Sequence, residues 1–185
     1  DENVALGYTA LSADTLGFGS VAIGHQALLS QNFTTATNAF NVAVGKNAGV
    51  SVTTGAFQTL IGGLAGDALT SGAENVAIGY AALSDDTLGS RSVAIGGGAL
   101  NEQNFTTATN SYNVAVGYSA GNNVSTGKGN TLLGSYAGFA LTTGISNTYV
   151  GFENTNEFGS GHLITSGSRN SILGAYNGNQ DGVDI

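Results

Sequence analysis

The sequence predicts an all-β fold: a parallel β-solenoid, or β-roll, of about ten coils built as one repeat domain over residues 1–185. Three observations carry that expectation. A five-residue pattern, Asn/Ser-Val-Ala-Ile-Gly in its commonest form, recurs along the chain. Its closing glycines (Gly7, Gly24, Gly45, Gly62, Gly79, Gly96, Gly117, Gly134, Gly151 and Gly174) are spaced 17, 21, 17, 17, 17, 21, 17, 17 and 23 residues apart. The spacing itself repeats: residues 3–74 align without a gap on 75–146, with 46 of 72 positions identical. A third copy starts at Asn147 and leaves the pattern after Phe152, so that 147–185 is irregular.

Each element of a coil follows from its residues. Immediately before every invariant glycine stands an aliphatic residue, from Leu6 to Leu173, and two residues earlier stands Val, Thr or Ser. These two sites share one face of a short strand, because side chains alternate. Between them is Ala in six coils and Leu60, Leu132, Tyr149 or Ile172 in the rest, so the second face is apolar as well. The first and middle sites trade bulk, as close-packed interiors require. Ala follows three residues after the glycine in eight coils, and a second glycine precedes most invariant ones by seven residues, as in Thr54-Gly55 and Thr143-Gly144. Those contexts are turns, where glycine adopts positive φ at little cost.

A 17-residue unit is too short for a helical repeat. Stacked coils bury what a single coil cannot, with equivalent positions about 4.8 Å apart. Ten coils then make a rod roughly 45–50 Å long. The seven asparagines that open the pattern (Asn3, Asn41, Asn75, Asn113, Asn130, Asn147, Asn170) are expected to form a stabilising column. The small middle residues are expected to face outward and to admit a second backbone, giving self-association about a long axis, most simply a homotrimer.

These repeats resemble the head domains of trimeric autotransporter adhesins. The longer unit, Asn113-Val-Ala-Val-Gly-Tyr-Ser-Ala-Gly followed by Thr126-Gly127 and Asn130-Thr-Leu-Leu-Gly, is similar to fibre proteins of marine bacteriophages. The ending from Ser171 to Ile185 looks like the stretch by which such fibres leave their repeats. The resemblance implies a left-handed roll in an intertwined homotrimer, on a virion surface or outside a cell. It implies a structural and adhesive rod, first a phage tail fibre used in host attachment, alternatively a bacterial adhesin head, and more distantly a polysaccharide-degrading tailspike.

Composition narrows the functions further. Thirty glycines, 41% hydrophobic residues and only 9% charged residues fit neither a disordered chain nor an average domain. A net charge of −8 with four Lys and Arg residues argues against nucleic acid. No apolar run is long enough to span a bilayer. No signal peptide is visible, and a start at Asp1-Glu2 reads as a fragment or a processed product. The absence of cysteine excludes disulfides and thiol catalysis.

The search for chemistry predicts no enzyme and no cofactor. Gly17-Phe-Gly-Ser-Val-Ala22 fits the dinucleotide fingerprint loosely but precedes a strand instead of following one. Gly121 to Lys128 lacks the spacing and the hydroxyl of a phosphate loop. Asp14, Asp85 and Asp86, and the Asn179–Asp184 cluster, raise calcium, yet the glycine–aspartate nonapeptide is missing and solvated turn acids are the expectation. His25 and His162 have no nearby partner in sequence, and Glu153/Glu157 is the one carboxylate pair in a repeat-breaking stretch. Both 21-residue coils contain Phe-Thr-Thr-Ala-Thr-Asn, at 33–38 and 105–110, and their four extra residues are expected to bulge as a loop. Recognition sits on loops held by rigid scaffolds. The candidate receptor-contact residues are therefore Phe33, Thr34 and Thr35, their counterparts Phe105, Thr106 and Thr107, and Phe152, Phe158 and His162 of the irregular segment. The receptor would be a host or cell-surface molecule such as a glycan.

Overall fold

The computed structural model describes residues 2–152 and 159–176. Its strands are β1 (Val4–Leu6), β2 (Gly17–Phe18), β3 (Val21–Ile23), β4 (Thr37–Asn38), β5 (Val42–Val44), β6 (Thr59–Ile61) and β7 (Val76–Ile78). They continue with β8 (Gly89–Ser90), β9 (Val93–Ile95), β10 (Thr109–Asn110), β11 (Val114–Val116), β12 (Thr131–Leu133), β13 (Thr148–Val150) and β14 (Ser171–Leu173). The ten pattern strands form one sheet in the order β1-β3-β5-β6-β7-β9-β11-β12-β13-β14. Every pairing is parallel and couples equivalent residues, as in Val21↔Val42, Ala22↔Ala43 and Ile23↔Val44. The chain is thus a parallel β-solenoid of about nine turns, with no helix among the described residues. Coils are numbered here from the residue that opens each pattern, so that coil 1 is 3–19, coil 2 is 20–40, coil 3 is 41–57 and coil 4 is 58–74; coils 5–8 are their counterparts in 75–146.

The invariant glycines turn the chain out of the sheet. Their φ angles lie between +115° and +144°, a region closed to other residues. They also lie against one another: a Cβ on Gly79 would sit 2.6 Å from the carbonyl carbon of Gly96 in the next coil. Backbone meets backbone there, so no side chain can yield.

The two strand faces are the reverse of the expectation. The middle residues (Ala22, Ala43, Leu60, Ala77, Ala94, Ala115, Leu132 and Tyr149) are fully buried, while the flanking valines and isoleucines point outward and are half-buried or exposed. The reason is the thinness of the coil. Its interior must also hold the Ala three residues after the glycine (Ala27, Ala48, Ala65 and their equivalents) and a further residue seven after it, such as Val52 or Leu69. What remains at mid-strand is room for Ala, or for one large residue where a neighbour is small. Gly49 and Gly66 supply that room for Leu60, since Cβ atoms on them would stand 2.6 and 2.8 Å from its methyl carbons.

The asparagine column forms as expected. Asn75 donates through Nδ2 to the Gly89 carbonyl (3.0 Å) and accepts at Oδ1 from the Ser92 backbone N–H (2.9 Å). Asn130 repeats this with the Gly144 carbonyl and the Asn147 N–H. Each rung therefore ties its own turn to the next coil, and its buried polar atoms are satisfied. Gln58 does the same work in coil 4, bonding to the Gly72 carbonyl and to the Asn75 N–H.

Ser20 and Ser92 are too short for this column, and the 21-residue coils fill the gap from elsewhere. Gln103 donates to Ser92 Oγ (2.8 Å) and to Asp86 Oδ2 (2.6 Å), while its Oε1 accepts from Asn113 (2.8 Å). Gln31 links Asp14, Ser20 and Asn41 in the same way. Asp86 is thus no solvated turn acid: it is fully buried and accepts from Gly89 N, Phe105 N and Gln103. Asp85 is exposed and Asp14 half-buried.

Candidate interaction surfaces

The extra residues of the 21-residue coils do form loops, each closed by a second, two-stranded parallel pairing: β2 with β4 and β8 with β10. In each loop the phenylalanine turns inward. Phe33 is 6% exposed and Phe105 5%, so both rings anchor their loops and are not free to meet a partner. The anchoring extends to the backbone where Phe105 N–H reaches the buried Asp86 (3.1 Å). Thr34, Thr35, Thr106 and Thr107 are exposed. Thr37 and Thr109 fold their hydroxyls back onto the carbonyls of Thr35 and Thr107, both at 2.9 Å, and so fix the two tips in one shape.

Burial pushes the Asp86 carboxyl up from its ordinary value of 3.8, against the opposing pull of its bonds from Gln103, Phe105, Gly89 and Leu88. Asp67 is also raised, first by burial and to a smaller extent by the neighbouring Asp85. Among the described residues no cluster of three or more His, Cys, Asp or Glu side chains could hold a metal ion. Among the same residues no helix is long and apolar enough to cross a membrane.

His162 and Phe152 are not brought to the threonine loops. Phe152 is exposed near the closing glycine of its strand. His162 stacks on Phe139 (centroids 5.1 Å, 10° between planes), with Tyr136 edge-on to both. Burial lowers the His162 pKa below its ordinary value, partly offset by a backbone bond at Tyr136. Phe158, Glu153, Glu157 and the Asn179–Asp184 cluster lie outside the described residues. His25 is exposed and stacks on Tyr8 at 5.3 Å.

A larger surface escapes the motif search because its residues are the motif. The outer side of the ten-stranded sheet carries two columns, Val/Thr/Ser and Ile/Leu/Val, with no charged residue at any rung. Exposed aromatics border both columns. Phe40, Phe57 and Tyr112 lie on one side, and Tyr8, Tyr80 and Tyr118 on the other. Phe40 and Phe57 pack at 6.1 Å between centroids. Arg91 and Glu74 continue their column as a two-point ion pair (3.1 and 3.2 Å), and Arg91 also reaches the Tyr112 hydroxyl (3.0 Å). Sequence reading placed this bulk inside; the signal that could have found it is that the coil is too narrow for valine and isoleucine as well as its other interior residues. Comparison of the chain with family models, with curated proteins and with solved structures finds no match.

Proposed function

We propose that this chain is a non-catalytic segment of an extracellular or virion fibre, a homotrimeric rod that holds recognition loops away from the surface it stands on. The reading rests on one observation: the outer face of the ten-stranded sheet is an uncharged, largely aliphatic stripe, with Thr or Ser at four rungs of one column, bordered in places by exposed aromatics. Such contiguous apolar surface marks an interaction site. The stripe and its borders measure roughly 45 by 15–20 Å, or about 700–900 Å² per copy, against about 800 Å² per partner in stable interfaces. Packed side by side, parallel copies of one rod bury these faces against each other about a common axis. The continuous ladder of backbone hydrogen bonds supplies stiffness along that axis. The exposed threonine tips at Thr34–Thr35 and Thr106–Thr107 are then the contacts with a host or cell-surface receptor. A tail fibre of a phage fits this arrangement first, and a bacterial adhesin head second.

Light scattering on the folded protein tests the assembly. The expected mass is three times 18.4 kDa. A folded species at 18.4 kDa, across the concentrations of use, would overturn it. Replacing Val93 and Ile95 with Lys is expected to break the assembly into folded single chains, because both side chains point out of the sheet.

A further inference from the structure

The two threonine loops are copies of one another in a chain much of whose exposed surface has drifted between the two super-repeats. Residues 31–38 and 103–110 are both Gln-Asn-Phe-Thr-Thr-Ala-Thr-Asn. Inside the fold that identity has evident causes: Gln31, Phe33 and Thr37 are held by packing or hydrogen bonds, and Asn32 accepts from Thr15 as Asn104 does from Thr87. No such cause applies to Thr34, Thr35, Ala36 and Asn38. They are exposed, and their side chains make no hydrogen bond within the described chain. Exposed positions elsewhere in coils 2–4 behave differently. His25, Phe40, Lys46, Thr53, Phe57, Ile61, Ser71 and Glu74 face Gly97, Tyr112, Tyr118, Ser125, Gly129, Leu133, Thr143 and Ser146 in the second copy, and Thr54 alone keeps its identity, as Thr126. Outside the loops much of the exposed surface has changed, Tyr8/Tyr80 and Thr54/Thr126 being among the pairs kept; at the loop tips the exposed Thr34, Thr35, Ala36 and Asn38 are all kept, with no hydrogen bond of their side chains to hold them.

We infer that the two tips are a duplicated binding site that engages one linear, neutral polysaccharide at two points, a reading that rests on the tips being receptor contacts. The loops leave the same corner of the solenoid four coils apart, which places the tips about 20 Å from each other along the rod. Each tip offers hydroxyl and amide groups (Thr34, Thr35, Asn38 and their copies) and no charge. That chemistry matches sugar hydroxyls, and it offers nothing to select a phosphate or a charged peptide. A polymer that presents the same unit at regular intervals meets both tips at once. The second contact is then intramolecular, and avidity rises without any new kind of contact. The scaffold between the tips is rigid, so the spacing is fixed by the rung count.

The test is binding of the intact protein to a panel of neutral linear polysaccharides (dextran, mannan, and cellulose and chitin oligomers), each as long chains and as fragments of two to four sugars. Three variants accompany it: Thr34→Ala with Thr35→Ala, Thr106→Ala with Thr107→Ala, and all four together. Thermal midpoints should not move, since these side chains are exposed. The expected result is that one panel member binds, and that its long chain binds ten-fold or more tighter than its fragments. Either double variant should drop long-chain binding to the fragment level, and the quadruple variant should abolish it. Long chains no tighter than fragments, with loop substitutions still weakening both, would overturn two-point engagement and leave the loops as receptor contacts. Binding indifferent to all three variants, or no binding to any panel member, overturns the receptor reading and this inference with it.

Discussion

Coils 5 and 6 and coils 7 and 8 share one strand ladder and its corner glycines, and differ inside and by the loop of coil 6. In the first pair the interior is plugged by Asp86 and Gln103, with Ala77 and Ala94 at mid-strand and Leu83 and Leu100 four residues after the corner glycine. In the second pair the plug is Val124 and Leu141, the residue four after the glycine is Gly121 or Gly138, and Leu132 fills the space they leave. Coils 1–2 and 3–4 repeat the contrast with Asp14 and Gln31 against Val52 and Leu69. The ladder of strands runs through both kinds without a change of register. The difference teaches what the fold demands. It requires a fixed interior volume and complete hydrogen bonding, and it accepts apolar or polar filling. The polar filling accompanies the long loop, and Asp86 shows why: it supplies an acceptor for the Phe105 N–H that the inserted residues bring inside.

The corner glycines are common to both kinds of coil, so breaking one should be equally severe in either. Gly79→Ala in coil 5 and Gly117→Ala in coil 7 each drive a Cβ into the backbone of the next coil, 2.6 Å from the Gly96 carbonyl carbon and 2.5 Å from that of Gly134. Each should cost more than about 4 kcal/mol, the range in which single changes unfold a domain. Chemical denaturation of the pair measures it. A marked difference between the two would mean that the interior filling does alter the backbone after all.

The apolar coils can be tested by exchange. Leu132→Ala leaves a cavity and should cost about 2–5 kcal/mol. Adding Gly121→Leu imitates the polar coils, where Leu28 and Leu100 hold the equivalent position at φ +49° beside a mid-strand alanine. The double variant should recover part of the loss. A double-mutant cycle reads the coupling directly, and strict additivity would refute volume exchange.

In the polar coils, Asp86→Asn places an amide nitrogen or leaves a lost acceptor opposite Gln103 Nε2, whose own oxygen is already occupied by Asn113. An unsatisfied buried group of this kind costs about 1–3 kcal/mol. Amide hydrogen exchange should show faster exchange at Phe105, while Asn130, which opens coil 8, and Asn147, which follows that coil, keep their protection. Acid titration tests the other raised carboxyl, Asp67 of the apolar coil 4, with a sign. Burial raises its folded pKa, so its protonation favours the folded state. Its contribution to stability should therefore grow as the pH falls through that raised value and be complete below the ordinary value of 3.8. Melting curves of wild type and Asp67→Asn across that window should converge at the acid end.

Much of this architecture was legible. The glycine spacing fixed the coil length, and the asparagine column could be written down from the alignment of coils, because both are local demands of the backbone. The faces were not legible, since Val-Ala-Ile alternates equally well with either side inward; only the count of other residues competing for the interior decides between them. Nor was the anchoring role of Phe33 and Phe105, whose rings are buried although they sit beside the exposed inserted threonines. The Asp86–Gln103 link joins residues 17 apart, one full rung, and neither residue announces a partner at that distance.

The smallest effect is expected at the boundary between the two super-repeats. Arg91 of coil 5 spans to Glu74 of the apolar coil 4 and to Tyr112 of the polar coil 6, and it forms the ion pair found among the described residues. The pair holds the Glu74 pKa below its ordinary value and Arg91 above its own. Both groups stand in solvent, where screening and side-chain entropy cancel most of the attraction. Arg91→Ala should leave the thermal midpoint unchanged within error, at low salt and high salt alike. A clear loss at low salt would mean that the surface, and not the shared volume and hydrogen bonding of the interior, joins one kind of coil to the other.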